Sequence, residues 1–226
     1  MELGGFKIEP RAYLVGADFS GADLSGAQLC KADLNKANLC GANLSGADLS
    51  FATLEGANLA GANLQGAKLF GSKLYKSDLT NANLTNAILS HFSAGSTYAA
   101  KLAYADLTNV NLSGANLYDV DFNYAVFIGV DLSGADLHGQ KLRHTDLSMV
   151  NLSRANLERA KLDRCNLTNA NLSYANLERA RIWDTNLSGA DLSGSNLTNS
   201  SFLRSDLTGA NLSEAVMINM QMPNGW

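Results

Sequence analysis

The chain has 226 residues, 46% of them hydrophobic, and a formal net charge of −4, a length that ordinary domain statistics divide into one or two domains. No uninterrupted apolar run is long enough to span a bilayer as a helix, and residues 1–11 do not read as a secretory leader, so a soluble cytoplasmic protein without membrane contact is expected. The three cysteines, Cys30, Cys40 and Cys165, offer no bridgeable pair, which suits a reducing compartment.

Residues 1–11 lie outside any repeat and carry Leu3, Phe6, Ile8 and Pro10, the side chains expected of a cap over an open apolar end. From Ala12 onward one five-residue unit, A-(D/N)-L-X-G, recurs; the stretch 37–66 shows it six times without a gap, as ANLCG ANLSG ADLSF ATLEG ANLAG ANLQG. With the central residue called i, centres fall every fifth position from Leu14 to Leu89 and again from Leu102 to Met217, sixteen units and then twenty-four. A period of five fits neither an amphipathic helix nor a long flat strand. A short strand followed by a turn does fit, because i−2 and i then point to one side and i−1 to the other. All sixteen glycines inside the repeats sit at i+2, and Asn81, Asn86, Asn109, Asn169, Asn199 and Asn219 share that position. Both residue types tolerate the positive φ of a turn's third residue, so each unit is one wall with a corner after it.

The number of walls comes from a longer period. Ser113, Ser133, Ser153, Ser173, Ser193 and Ser213 stand twenty residues apart at i+1, which requires four units per coil. The fold expected is an all-β, four-sided parallel solenoid of about ten coils, on the order of 48 Å long at ~4.8 Å per coil. It is read as a single domain over 1–226, with a cap (1–11), a first block (12–91), a loop interruption (92–99), a second block (100–219) and a tail (220–226). These residues resemble the pentapeptide-repeat family, whose units follow small–D/N–L/F–polar–G. The resemblance implies a right-handed quadrilateral β-helix. The tail MPNGW is similar to the endings of many cyanobacterial members.

Irregularities mark places of interest. The interruption FSAGSTYA offers Phe92, Ser93, Ser96, Thr97 and Tyr98 as a candidate interaction loop, or is a scar where two arrays joined. In the second block Val110, Val120, Val130 and Val150 replace Ala at i−2 around Phe122 and Phe127, so the core there must widen or repack. Gln140 places a long amide inward, where it is expected to bond backbone groups or bend outward. Met217, Ile218, Met220, Met222 and Trp226 make the C-terminal end apolar, as a cap or as a dimer contact; capping, and a monomer, are preferred.

No enzyme is expected. His91, His138 and His144 lack a cysteine or carboxylate cluster at metal-ligand spacing, and the many aspartates are outward repeat positions rather than a paired set in a cleft. No catalytic residue, cofactor or metal is therefore assigned. With the walls numbered from Leu14 and again from Leu102, the second and third carry nine acids against one base, a net of −8, while the first and fourth carry fourteen bases against ten acids. Lys101, Lys141, Arg143, Lys161, Arg164, Arg181, Trp183 and Arg204 lie along the first wall as a candidate strip for an acidic protein partner, with Asp121, Asp163 and Asp184 interleaved. The family resemblance implies an alternative, mimicry of DNA toward DNA gyrase. A duplex as long as the expected solenoid carries ~28 negative charges, far more than the acidic half offers. Direct nucleic-acid binding is not expected either. The preferred reading is a non-enzymatic structural or protein-interaction solenoid.

Overall fold

The computed structural model of the protein describes residues 2–93 and 95–223. Continuous strands among them form only two short antiparallel hairpins, β1 (Glu2–Leu3) with β2 (Phe6–Lys7) and β3 (Ser90–Ser93) with β4 (Ser96–Ala99). The remainder is built from single parallel bridges at i−1, twenty residues apart, in the succession Tyr13↔Asp33, Asp18↔Asn38, Asp23↔Asn43 and Gln28↔Asp48. The next bridge, Asp33↔Thr53, resumes at the residue where the first one ended, so four walls close one coil.

The backbone explains why five residues suffice per wall. The Leu14 N–H donates to Asp33 O at 2.7 Å and the Asp33 N–H to Ala12 O at 2.9 Å, so each wall is tied to the next coil in both directions. At most corners the N–H of the next i−2 residue donates back to the central carbonyl, as from Ala17 to Leu14 O at 3.1 Å. The i+2 residue between them has positive φ whether it is Gly16 (66°), Lys36 (59°) or Arg164 (58°). The leucines and alanines point inward and are buried. Buried side-chain nitrogens and oxygens among the described residues all have hydrogen-bond partners, Gln140 included.

The chain forms two compact units, Met1–Val126 and Phe127–Trp226. The division falls where valines and phenylalanines replace the small and leucine positions of the repeat, with Val120, Phe122 and Phe127 clustered in adjoining inward positions. In the first unit Ile8 is buried, and the Phe6 ring meets Phe19 edge-on at 5.6 Å. Leu14, Phe19 and Leu24 of the first coil are accordingly shielded. Beyond the fourth wall of the fourth coil the chain leaves as the β3–β4 hairpin, which begins at Ser90 rather than at 92. It returns to the same corner, since Lys73↔Lys101, Asp78↔Asp106, Asn83↔Asn111 and Ile88↔Asn116 join residues 28 apart (101 − 73 = 28), twenty plus the eight inserted.

In the second unit four i−2 positions of the second wall, Thr145, Cys165, Thr185 and Ser205, are polar, and the last three are buried. Cys165 Sγ donates to Leu142 O at 2.6 Å, Thr185 Oγ1 to Leu162 O at 2.7 Å and Ser205 Oγ to Ile182 O at 2.6 Å. Ser205 Oγ also accepts the Thr185 N–H at 3.1 Å, so the hydroxyl stands inside a corner and takes over its turn hydrogen bond. Burial pushes the Cys165 thiol up to about 11, which makes it an inert filler of the column. Met217, the central residue of the last repeat, is 46% exposed and Ile218 is exposed beside it. Trp226 lies outside the described residues.

Candidate interaction surfaces

Outward side chains of one wall stack in three columns, at i−1, i+1 and i+2, so chemistry on the first wall depends on which column a residue occupies. In the second unit Lys141, Lys161 and Arg181 share the i−1 column, joined by the bridges Lys141↔Lys161 and Lys161↔Arg181. Asp163 stands in the i+1 column between two cations. Its Oδ1 accepts from Arg181 Nε at 2.7 Å and Oδ2 from Arg181 Nη2, while Arg143 Nε reaches Oδ2 at 2.8 Å. Burial alone would raise the Asp163 carboxyl, but the Arg181 hydrogen bonds and charge, with Arg143 behind them, bring it below its usual value. In the i+2 column Arg204 grips Asp184 through two nitrogens, at 2.6 and 2.7 Å, which lowers the Asp184 pKa.

Trp183 is likewise engaged within the wall. Its indole Nε1–H donates to Ser201 Oγ at 2.9 Å, Ser201 Oγ donates to Gln221 Oε1 at 2.8 Å, and the Arg181 guanidinium lies 4.6 Å from the ring centroid. Thus Arg143, Arg181, Arg204 and Trp183 of the expected strip hold one coil to the next. Lys141 and Lys161 form no ion pair among the described residues, and neither does Arg164, although its charge helps to lower the Asp184 pKa.

Lys101 belongs to the first unit, where it stacks on Lys73 through the Lys73↔Lys101 bridge. There it adjoins the candidate loop, because β4 leads into Ala100 and Lys101. The hairpin is pinned by aromatic rings that its own sequence does not reveal. Tyr98 packs on Phe51 (5.4 Å), His91 on Phe70 (5.1 Å), and Phe51 on Phe70 (5.5 Å), with Lys31 Nζ 5.9 Å from the Phe51 ring. Phe51 and Phe70 belong to the second and third coils, so the hairpin folds back over coils already passed. A legible signal was the pair Phe51 and Gly71, twenty apart: a Cβ on Gly71 would lie 2.5 Å from the Phe51 ring. Phe92, on the opposite face of the hairpin from His91 and Tyr98, is 67% exposed.

Toward the far corner of the first wall, away from the hairpin, stands a tyrosine ladder. Tyr75 meets Tyr104 edge-on at 5.4 Å, and Tyr104 stacks on Tyr124 at 4.9 Å with 19° between planes. Tyr124 is 77% exposed. Among the described residues no group of three or more His, Cys, Asp or Glu could hold a metal ion, and no helix is long and apolar enough to cross a membrane. His138 Nδ1 lies 3.8 Å from Glu158.

Comparison with known proteins agrees with the coil. Residues 11–46, 47–86 and 100–139 match the family described as Pentapeptide repeats (8 copies), and residues 136–212 match the Pentapeptide repeat region. No curated protein is matched. Among solved structures, HetL from the cyanobacterium Nostoc sp. strain PCC 7120, a pentapeptide repeat protein involved in heterocyst differentiation regulation, is 32% identical. That match covers 95% of this chain and 90% of HetL, with a TM-score of 0.46. Rfr23 from the cyanobacterium Cyanothece 51142 is 26% identical, covering 75% of this chain and 90% of its own, with a TM-score of 0.27. QnrB1, a plasmid-mediated fluoroquinolone resistance protein, is 15% identical, covering 97% and 88%, with a TM-score of 0.38. With the five-residue unit, the four-walled coil and these matches over most of its length, the chain belongs to the pentapeptide-repeat family of right-handed quadrilateral β-helices and resembles cyanobacterial members.

Proposed function

We propose that the protein is a non-enzymatic interaction solenoid of the cytoplasm, acting as a monomer, whose first wall binds an acidic surface of a partner protein. The observation that carries this reading is the division of labour among the cations of the second unit. Three arginines are held by Asp163 and Asp184, whereas Lys141 and Lys161, adjacent in one column, have no carboxylate partner among the described residues. Two like charges stacked one coil apart repel each other, and a partner carboxylate relieves that repulsion on binding. Unpaired surface cations are the ones free to exchange water for a partner.

The test is affinity capture from cell extract with the wild type beside Lys141→Glu/Lys161→Glu. Proteins retained by the wild type and lost from the variant support the reading; identical partner lists overturn it. The unfolding midpoint of the variant is expected to be unchanged, because neither lysine side chain holds a neighbouring coil.

A further inference from the structure

The β3–β4 hairpin has two edges, and they are not equivalent. Ala100 N–H donates to Leu89 O at 2.8 Å, so Leu89 and Ala100 are a hydrogen-bonded pair at the hairpin base. Strict antiparallel alternation from there, in the register His91↔Tyr98 and Phe92↔Thr97, turns the backbone groups of His91 and Tyr98 inward and those of Thr97 and Phe92 outward. On the β3 edge the outward Ser90 carbonyl accepts the Asn116 side-chain amide at 3.3 Å. On the β4 edge no described residue takes the Thr97 backbone groups.

Three further features surround that edge. The rings of Phe51 and Phe70, both on the fourth wall, meet Tyr98 and His91 and hold the hairpin there, so the edge is presented preformed and little ordering is required on binding. β4 leads directly into Ala100 and Lys101, and Lys101 stacks on Lys73; neither lysine has an ion pair among the described residues. The far corner of the same wall carries Tyr75, Tyr104 and Tyr124. An open strand edge, two cations without an ion pair (Lys101 has Asp121 as its other column neighbour) and a row of rings are the features that grip an extended chain of opposite charge.

We propose that the corner joining the fourth and first walls of the first unit binds an extended acidic peptide segment of a partner protein, added as a strand beside β4, with its carboxylates on Lys73 and Lys101. The proposal deepens the reading of the first wall as a partner surface, but it concerns the first unit and is tested there.

The probe is a fluorescein-labelled acetyl-(Glu-Thr)5-amide peptide, measured by fluorescence anisotropy against the full chain at low salt. Thr97→Pro removes one outward N–H, and because that N–H is not part of the β3–β4 ladder the hairpin accommodates it. Both Thr97→Pro and Lys73→Glu/Lys101→Glu are expected to weaken binding about tenfold or more. Arg159→Glu/Arg179→Glu, on the fourth wall of the second unit, changes net charge by the same amount, serves as the matched control and is expected to bind within about twofold of wild type. Unchanged unfolding midpoints show that the variants fold. Absence of peptide binding overturns the proposal, as does equal binding of (Lys-Thr)5 or of a ten-nucleotide oligo-dT. Loss confined to Lys141→Glu/Lys161→Glu also overturns it while leaving the second-unit reading standing.

Discussion

At the scale of single residues the corner is the demanding position. Met149, Arg154, Tyr174 and Glu214 sit at i+2 with φ between 57° and 60°, a region that L-residues other than Asn and Asp seldom adopt. Met149 is 76% exposed. Met149→Gly is therefore expected to raise stability by about 0.5–1 kcal/mol, the relief of strain exceeding the greater freedom of glycine in the unfolded chain. The reverse holds at Gly194 (φ 63°), across which the Tyr174 ring lies. A Cβ there would stand 2.6 Å from a ring carbon, and Gly194→Ala is expected to lose about 1–2 kcal/mol in urea denaturation.

The outward aspartates act at the same scale. The backbone N–H groups of Ser20, Ser25 and Ser148 donate to Asp18, Asp23 and Asp146, and the Thr208 hydroxyl and N–H to Asp206, holding each carboxyl below its ordinary 3.8. A depressed folded-state pKa contributes stability that is fully present above the unfolded value and disappears as pH falls through the folded one. Unfolding midpoints are thus expected to fall as pH drops below 3.8. Asp18→Asn/Asp23→Asn/Asp146→Asn/Asp206→Asn is expected to flatten that acid limb, since an Asn oxygen accepts the same N–H, as Asn38 does from Cys40.

At the scale of an element, the wall is a ladder with a direction. Asn43 Nδ2 donates to Asp23 Oδ1 at 3.1 Å, Asn63 to Asn43 at 3.2 Å and Asn83 to Asn63 at 3.4 Å, while each oxygen also accepts a backbone N–H from its own wall. Aspartate accepts but cannot donate, so it fits where a ladder begins, as at Asp18, Asp23, Asp131 and Asp136. Asn43→Asp places two carboxylates one coil apart and removes a donor. A loss of about 1–2 kcal/mol is expected, larger at low salt, while Asp23→Asn is expected to be nearly neutral. The β3–β4 hairpin, by contrast, depends on rings rather than on repeat bonds. Tyr98→Ala is expected to speed amide exchange of residues 91–98 while leaving the unfolding midpoint of the coils unchanged.

At the scale of the whole molecule, charge separates by wall within each of the two units, and neither the acidic nor the basic walls are uniform. The net −8 of the second and third walls is spread among asparagines, and the ion pairs among the described residues lie between His138 and Arg204. A surface mimicking duplex DNA needs a far denser row of carboxylates. Supercoiling by DNA gyrase is therefore expected to be uninhibited by micromolar protein, and inhibition in a titrated assay would revive the mimic reading.

The coil was legible because a five-residue period, glycine confined within the repeats to i+2 and a twenty-residue serine column leave one arrangement that turns the central leucines inward. Repetition turns local steric preferences into a global architecture without help from distant contacts. Which cations are free was not legible, since Asp163 lies in the same wall as Arg143 and Arg181, and only the approach of three side chains in space showed that it binds both. The hairpin's anchorage was equally hidden: Phe51 and Tyr98 are far apart in the chain and meet because β3 and β4 fold back over earlier coils. Periodicity determined where each side chain points; packing between neighbouring coils decided which of those side chains remain available to a partner.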